Sequence, residues 1–126
     1  MRPQARDEVC FHFEDFLKSP ALHSYPPALR HGDFGFGNIL YDPRTMNISG
    51  VIDFGFVGLG APAIDLAAAS VLGETIFKCI CQAYPDSQAM LERARFYRGT
   101  YALQEALHGL LKDDQEAFES GIEQFR

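Results

Sequence analysis

The first thirty residues contain no glycine and a single lysine, Lys18, and no GxxxxGK[ST] string occurs anywhere in the 126 residues. A glycine-rich loop paired with a strand lysine, one common way to cradle nucleotide phosphates, therefore has no counterpart ahead of His31. Lys18 stands just before Ser19-Pro20, where a helix ends. The missing GxxxxGK[ST] string excludes a P-loop. No run approaches about 18 uninterrupted apolar residues, and the N-terminus lacks the charged-then-apolar pattern of a signal peptide. The expectation is therefore a cytoplasmic chain with no membrane as partner. Cysteine is scarce: Cys10, Cys79 and Cys81 form no CxxC pair, and no matching His or Cys cluster accompanies them. Reduced core thiols are expected. Asn47-Ile48-Ser49 is a glycosylation sequon, idle without secretion. Basic residues number 11 against 17 acidic ones, for a net charge of −6. That balance argues against nucleic acid as partner and suits a cationic one.

What is present suits a folded unit. A hydrophobic fraction of 47% over 126 residues predicts one compact domain, residues 1–126, burying roughly two-thirds of its unfolded surface. Val9, Phe13, Phe16 and Leu17 recur at helical spacing over residues 5–18, and Pro20 stops the run. A proline-rich connector with Pro20, Pro26 and Pro27 leads to His31. Segments 38–41 and 48–52 are β-prone and flank turn material at 42–47, which predicts an antiparallel hairpin. A glycine-rich loop, Gly58 to Pro62, precedes an alanine-rich helix reaching Leu72. Further helices are predicted at 74–84, at 87–112 as the longest, and at 115–125. The pattern predicts a mostly helical domain carrying one small hairpin.

The chemistry lies in His31-Gly32-Asp33-Phe34-Gly35-Phe36-Gly37-Asn38 and Ile52-Asp53-Phe54-Gly55. In protein kinases a catalytic-loop Asp precedes a metal-binding Asn by five positions, and a DFG aspartate follows downstream. Asp33 and Asn38 keep that interval (38 − 33 = 5), and Asp53-Phe54-Gly55 supplies the DFG. If residue 41 pairs near residue 50, Asn38 falls opposite Asp53, with β-carbons about 4.5–5.5 Å apart. Carboxylate and carboxamide oxygens are hard ligands suited to Mg²⁺. Blander readings stand beside these. Asp33 and Asn38 are also turn formers, Asp53 can simply end a strand, and Asp65 can serve as a helix N-cap. Their joint occurrence with His31 and the glycines favours a site. His31 reads as a packed, hydrogen-bonded ring, and His12, His23 and His108 have no partners at ligand spacing. Glu74, Glu105 and Asp113-Asp114 suit solvated helix faces better than an acidic substrate groove.

The stretches His31–Asp42 and Ile48–Ala67 resemble the C-terminal lobe of the aminoglycoside phosphotransferase family, which stands with choline kinases among small-molecule kinases of the protein-kinase fold. The match is specific over 31–69, and Arg95 to Glu105 looks closest to the branch acting on the 2″-hydroxyl of aminoglycosides. The resemblance implies an α+β, mostly α-helical fold, a kinase-like C-terminal lobe with a small catalytic hairpin. It implies Asp33 as catalytic base, Asn38 and Asp53 as metal ligands, and His31 and Asp65 as structural supports of the catalytic loop. Mg²⁺ with ATP or GTP would be the phosphoryl donor and a small-molecule alcohol, cationic in keeping with the charge, the acceptor. The N-terminal nucleotide-binding lobe is absent from these residues, so the chain alone is expected to be inactive. A partner lobe, self-association or a non-catalytic remnant are the alternatives. Ala61 departs from the acidic residue that many relatives carry before this proline. The helices after the catalytic loop show no distinctive polar constellation, and substrate-binding residues stay unassigned.

Overall fold

Pro3 opens α1 (Pro3–Lys18) at a helix start, where the missing N–H costs nothing. The computed structural model describes residues 2–126, and these divide into two compact units: residues up to Ser24 together with Phe96–Arg126, and Tyr25–Arg95. The fold is α+β and mostly helical, as expected, but its strands form two two-stranded sheets rather than one hairpin. Among the described residues no helix is long and apolar enough to cross a membrane.

The first unit contains α1, α2 (Pro20–His23), the end of α5 (Ser87–Gly99), α6 (Tyr101–Lys112) and α7 (Gln115–Ile122). Aromatic stacking joins α1 to α5. The Phe16 and Phe96 rings lie 3.6 Å apart at 7°, and His12 stacks on Phe96 at 4.8 Å. His12 Nε2 also lies 3.2 Å from the Phe96 carbonyl, and His23 Nε2 lies 3.0 Å from the Phe16 carbonyl. Both histidines thus serve packing. Leu17, which the helical stripe places in the core, is 67% exposed.

The expected long helix over 87–112 is broken at Gly99-Thr100 into α5 and α6. Thr100 folds back on the preceding turn, donating from its N–H (3.0 Å) and its hydroxyl (2.7 Å) to the Tyr97 carbonyl. A hydroxyl that competes for backbone carbonyls in this way interrupts helix continuation. Asp113 in the left-handed region (φ 55) closes α6, and Asp114 accepts from the Ala117 N–H at 3.0 Å to cap α7. The two helices meet through Gly109 and Gly121, where any β-carbon would overlap facing backbone: Asp114 and Phe118 at Gly109, Ala102 and Ala106 at Gly121. Gly121→Ala is therefore expected to destabilise the chain by about 2 kcal/mol, the cost of overpacking a tight contact; urea unfolding measures it.

In the second unit, β1 (Ala28–Arg30) pairs antiparallel with β4 (Gly58–Gly60), and β2 (Ile39–Asp42) pairs with β3 (Asn47–Val51). The β1–β4 sheet replaces what reads in sequence as a proline connector and a glycine loop. Its strands are three residues long, too short for alternation to register, and about thirty positions apart. The hairpin turn is held by Asp42. Its carboxylate accepts the Arg44 backbone N–H at 2.9 Å, and that bond, with the Arg44 side chain, keeps the carboxyl below its ordinary range. The helices of this unit are α3 (Ala63–Ala69), α4 (Glu74–Ala83) and the start of α5. Ala61, Ala63, Leu66, Ala67, Ala69, Leu72 and Ala94 make a small-residue core. Buried Arg93 lies over the Tyr25 ring, 4.5 Å from its centroid. The cysteines are free, but they are not core thiols: Cys10 and Cys79 are exposed and Cys81 is half-buried.

Candidate functional site

The turn between β1 and β2 is held from below by Asp65. One carboxylate oxygen accepts the His31 backbone N–H at 2.7 Å, the other the Gly32 N–H at 2.8 Å. Asp65 lies in the first turn of α3, and Pro62 occupies the N-cap. The N-cap reading of Asp65 is thereby overturned: its carboxylate serves a distant turn. Gly32 adopts φ +87, and a β-carbon there would strike Phe56 and Arg30, so only glycine fits.

His31 is buried, and its partners fix its tautomer. Nδ1 accepts the Asp33 backbone N–H at 3.2 Å, so Nε2 carries the proton and donates to the Ile52 carbonyl at 2.9 Å. The ring also lies 4.8 Å from the Phe54 ring. One imidazole thus links the turn bearing Asp33 to the segment bearing Asp53. Beside it, the Asn38 Nδ2 donates to the Asp33 carbonyl at 2.8 Å and to Asp33 Oδ2 at 3.1 Å. Among the described residues no hydrogen bond takes Asp33 Oδ1 or Asn38 Oδ1, which are left for other partners.

The hairpin register differs from the expected one. Ile39 faces Val51 and Leu40 faces Gly50, and a bulge between Leu40 and Tyr41 brings Tyr41 opposite Ile48. Asn38 therefore lies across from Ile52, whose N–H donates to its carbonyl at 2.9 Å, and not across from Asp53. The extra β3 residue at the bulge carries the pairing one position further along, to Ile52, where the turn-side register alone would give Val51. Asp53 follows in the left-handed region at φ 62, a conformation that aspartate tolerates better than most residues. Backbone strain of this kind clusters at functional sites.

Asn38 Oδ1 and the exposed Asp53 carboxylate are hard oxygen donors. Among the described residues no hydrogen bond occupies the Asp53 carboxylate, and no group of three His, Cys, Asp or Glu side chains forms a ready-made metal site. A donor pair of this kind fits Mg²⁺, which binds few protein ligands and fills its shell with phosphate and water. Glu74 instead pairs with Lys78 at 2.6 Å, and Asp114 caps a helix. Two features have no signal in the motif. Phe34 and Phe36 line an apolar cavity of about 600 Å³ shared with Ile39, Leu66 and Ile80. Arg30 reaches the Phe56 carbonyl at 3.2 Å.

Residues 2–97 match the family model described as phosphotransferase enzyme family. Viomycin phosphotransferase of Streptomyces vinaceus is 36% identical over 110 residues, covering 84% of this chain and 38% of its own length. The GDP complex of wild-type aminoglycoside 2'-phosphotransferase-IIIa superposes with a TM-score of 0.83 at 23% identity, over 98% of this chain and 43% of that one. Macrolide 2'-phosphotransferase type I superposes with a TM-score of 0.75 at 25% identity, over 94% and 41%. The chain thus spans about two-fifths of the length of the relatives it matches.

Proposed function

Because the chain belongs to the phosphotransferase enzyme family, we propose that its second unit carries the chemical step of phosphoryl transfer from ATP or GTP to a small-molecule hydroxyl. The observation that carries this reading is the joining of three segments. Asp65 holds the turn of His31 and Gly32, His31 holds Ile52 ahead of Asp53, and Asn38 holds Asp33. Asp33 orients the acceptor hydroxyl and takes its proton on the free Oδ1. Asn38 Oδ1 and the Asp53 carboxylate are the ligands for Mg²⁺, whose charge offsets that of the phosphates when bound. His31 and Asp65 support the loop and touch no reacting atom.

The GDP bound in similar structures and the viomycin, macrolide and aminoglycoside names of these relatives support a nucleotide donor and a hydroxyl-bearing antibiotic as acceptor. The net charge of −6 favours a cationic one. A cytoplasmic setting, where ATP and GTP are at hand, belongs to the same reading. These 126 residues hold no phosphate-cradling glycine loop with its lysine, so the chain alone transfers no phosphoryl group until a nucleotide-binding lobe completes it.

Mn²⁺ standing in for Mg²⁺ tests the metal ligands directly by water-proton relaxation. The chain is expected to bind it weakly, and Asp53→Ala to lower the affinity about tenfold, the loss of one charged ligand. A well-folded wild type that binds no Mn²⁺ would remove Asn38 and Asp53 from this role. Exposed Leu29, Phe36, Phe56 and Leu59 favour a second reading, association with a further lobe or a second copy. Sedimentation that shows only monomer at every concentration counts against self-association.

A further inference from the structure

We infer that Arg30 is a positioning residue that sets the loop after Asp53 against the turn before Asp33, an inference that rests on the proposed reading of those two aspartates. Arg30 ends β1 opposite Gly58. Its Nη1 donates to the Phe56 carbonyl at 3.2 Å. The end of the side chain, Nη1 included, fills the space left beside two glycines. A β-carbon on Gly32 would stand 2.5 Å from Nη1, and one on Gly60 would stand 2.8 Å from Nε and 3.4 Å from Cδ. The side chain therefore packs against the turn leading into Asp33, against β4, and against the loop that follows Asp53.

That loop has few other holds. Within residues 54–57 the Val57 N–H turns back to the Phe54 carbonyl at 3.2 Å, a bond internal to the loop. From outside, His31 grips its near end at the Ile52 carbonyl and the Phe54 ring, and Arg30 grips its far end at Phe56. Two consecutive residues thus clamp both ends of the segment carrying Asp53. The clamp is made at a cost, since Arg30 Nε is buried with no acceptor among the described residues. A fork that reaches a carbonyl while filling the space beside two glycines is a geometry lysine cannot reproduce.

Arg30→Ala and Gly60→Ala, made in the 126-residue chain, test this from two directions. The first removes the guanidinium; the second keeps it but occupies its place with a methyl group at a residue of ordinary φ. Amide hydrogen exchange over residues 54–58 is expected to quicken about five- to tenfold in both, the loss of one modest hydrogen bond, while β2–β3 exchanges as in wild type. Mn²⁺ affinity should fall by a similar factor, and free guanidinium at non-denaturing concentration should restore it in Arg30→Ala. Unchanged exchange over 54–58 overturns the assignment. If the wild type binds no Mn²⁺, the metal reading fails and the exchange data alone decide on Arg30. If Arg30→Ala fails to fold, Gly60→Ala carries the test.

Discussion

Replacing Asp33 by Asn is expected to lower phosphoryl transfer by about 10²- to 10⁴-fold, the range of a lost general base, in a polypeptide that joins these residues to a nucleotide-binding lobe. The substitution is nearly isosteric and spares the local structure. The Asn38 amide bonds the Asp33 backbone carbonyl, which every residue retains, and the Asp33 Oδ2, which an amide oxygen replaces. Asp33 is exposed, so no buried charge is left unpaired. An amide, however, cannot take the proton of the acceptor hydroxyl. The expected signature is a fall in kcat with the nucleotide KM and the urea midpoint unchanged. A variant that keeps its kcat would remove the base from Asp33. Asn38→Ala should behave differently, losing both the restraint on Asp33 and the free Oδ1, and should raise the metal requirement as well as lower kcat.

The contrast between these two residues bears on what a sequence can reveal. The kinase-like fold and the family were legible because phosphoryl transfer fixes residue types at fixed intervals, and Asp33, Asn38 and Asp53-Phe54-Gly55 carry that spacing through any surrounding sequence. The hairpin was legible because its two strands are adjacent and its turn is built from Asp42, Pro43 and Asn47. What escaped depends on contacts that no local pattern records. The β1–β4 sheet joins Ala28 to Gly60 across the whole site. The hairpin sits one residue off the expected register, with Leu40 rather than Tyr41 facing Gly50, so Asn38 meets Ile52 and not Asp53. The break at Gly99-Thr100 follows from a threonine hydroxyl turning to its own carbonyl neighbour, which helical periodicity on either side conceals. Arg30 carries no motif at all; its place is set by two glycines that make room for it.

Asp65 gives the second large effect, and its alanine and asparagine variants should fail alike. The carboxylate sits 34 and 33 positions from the two N–H groups it accepts, at 2.7 and 2.8 Å. Hydrogen bonds to a charged group each contribute about 1.5–3 kcal/mol, and leaving two partly buried donors unsatisfied adds to the loss. Asp65→Ala is therefore expected to destabilise the second unit by at least about 3 kcal/mol. Asn has the same shape but only one acceptor; its amide group would set N–H against N–H at the other position, whichever way it turns. Neither variant can hold both His31 and Gly32, so the turn bearing Asp33 should loosen in each. Urea unfolding measures the loss, and hydrogen exchange at His31 and Gly32 locates it. An Asp65→Asn chain as stable as wild type would show that one acceptor suffices, and the turn would then be held by the His31 ring through Asp33 N–H and the Ile52 carbonyl instead.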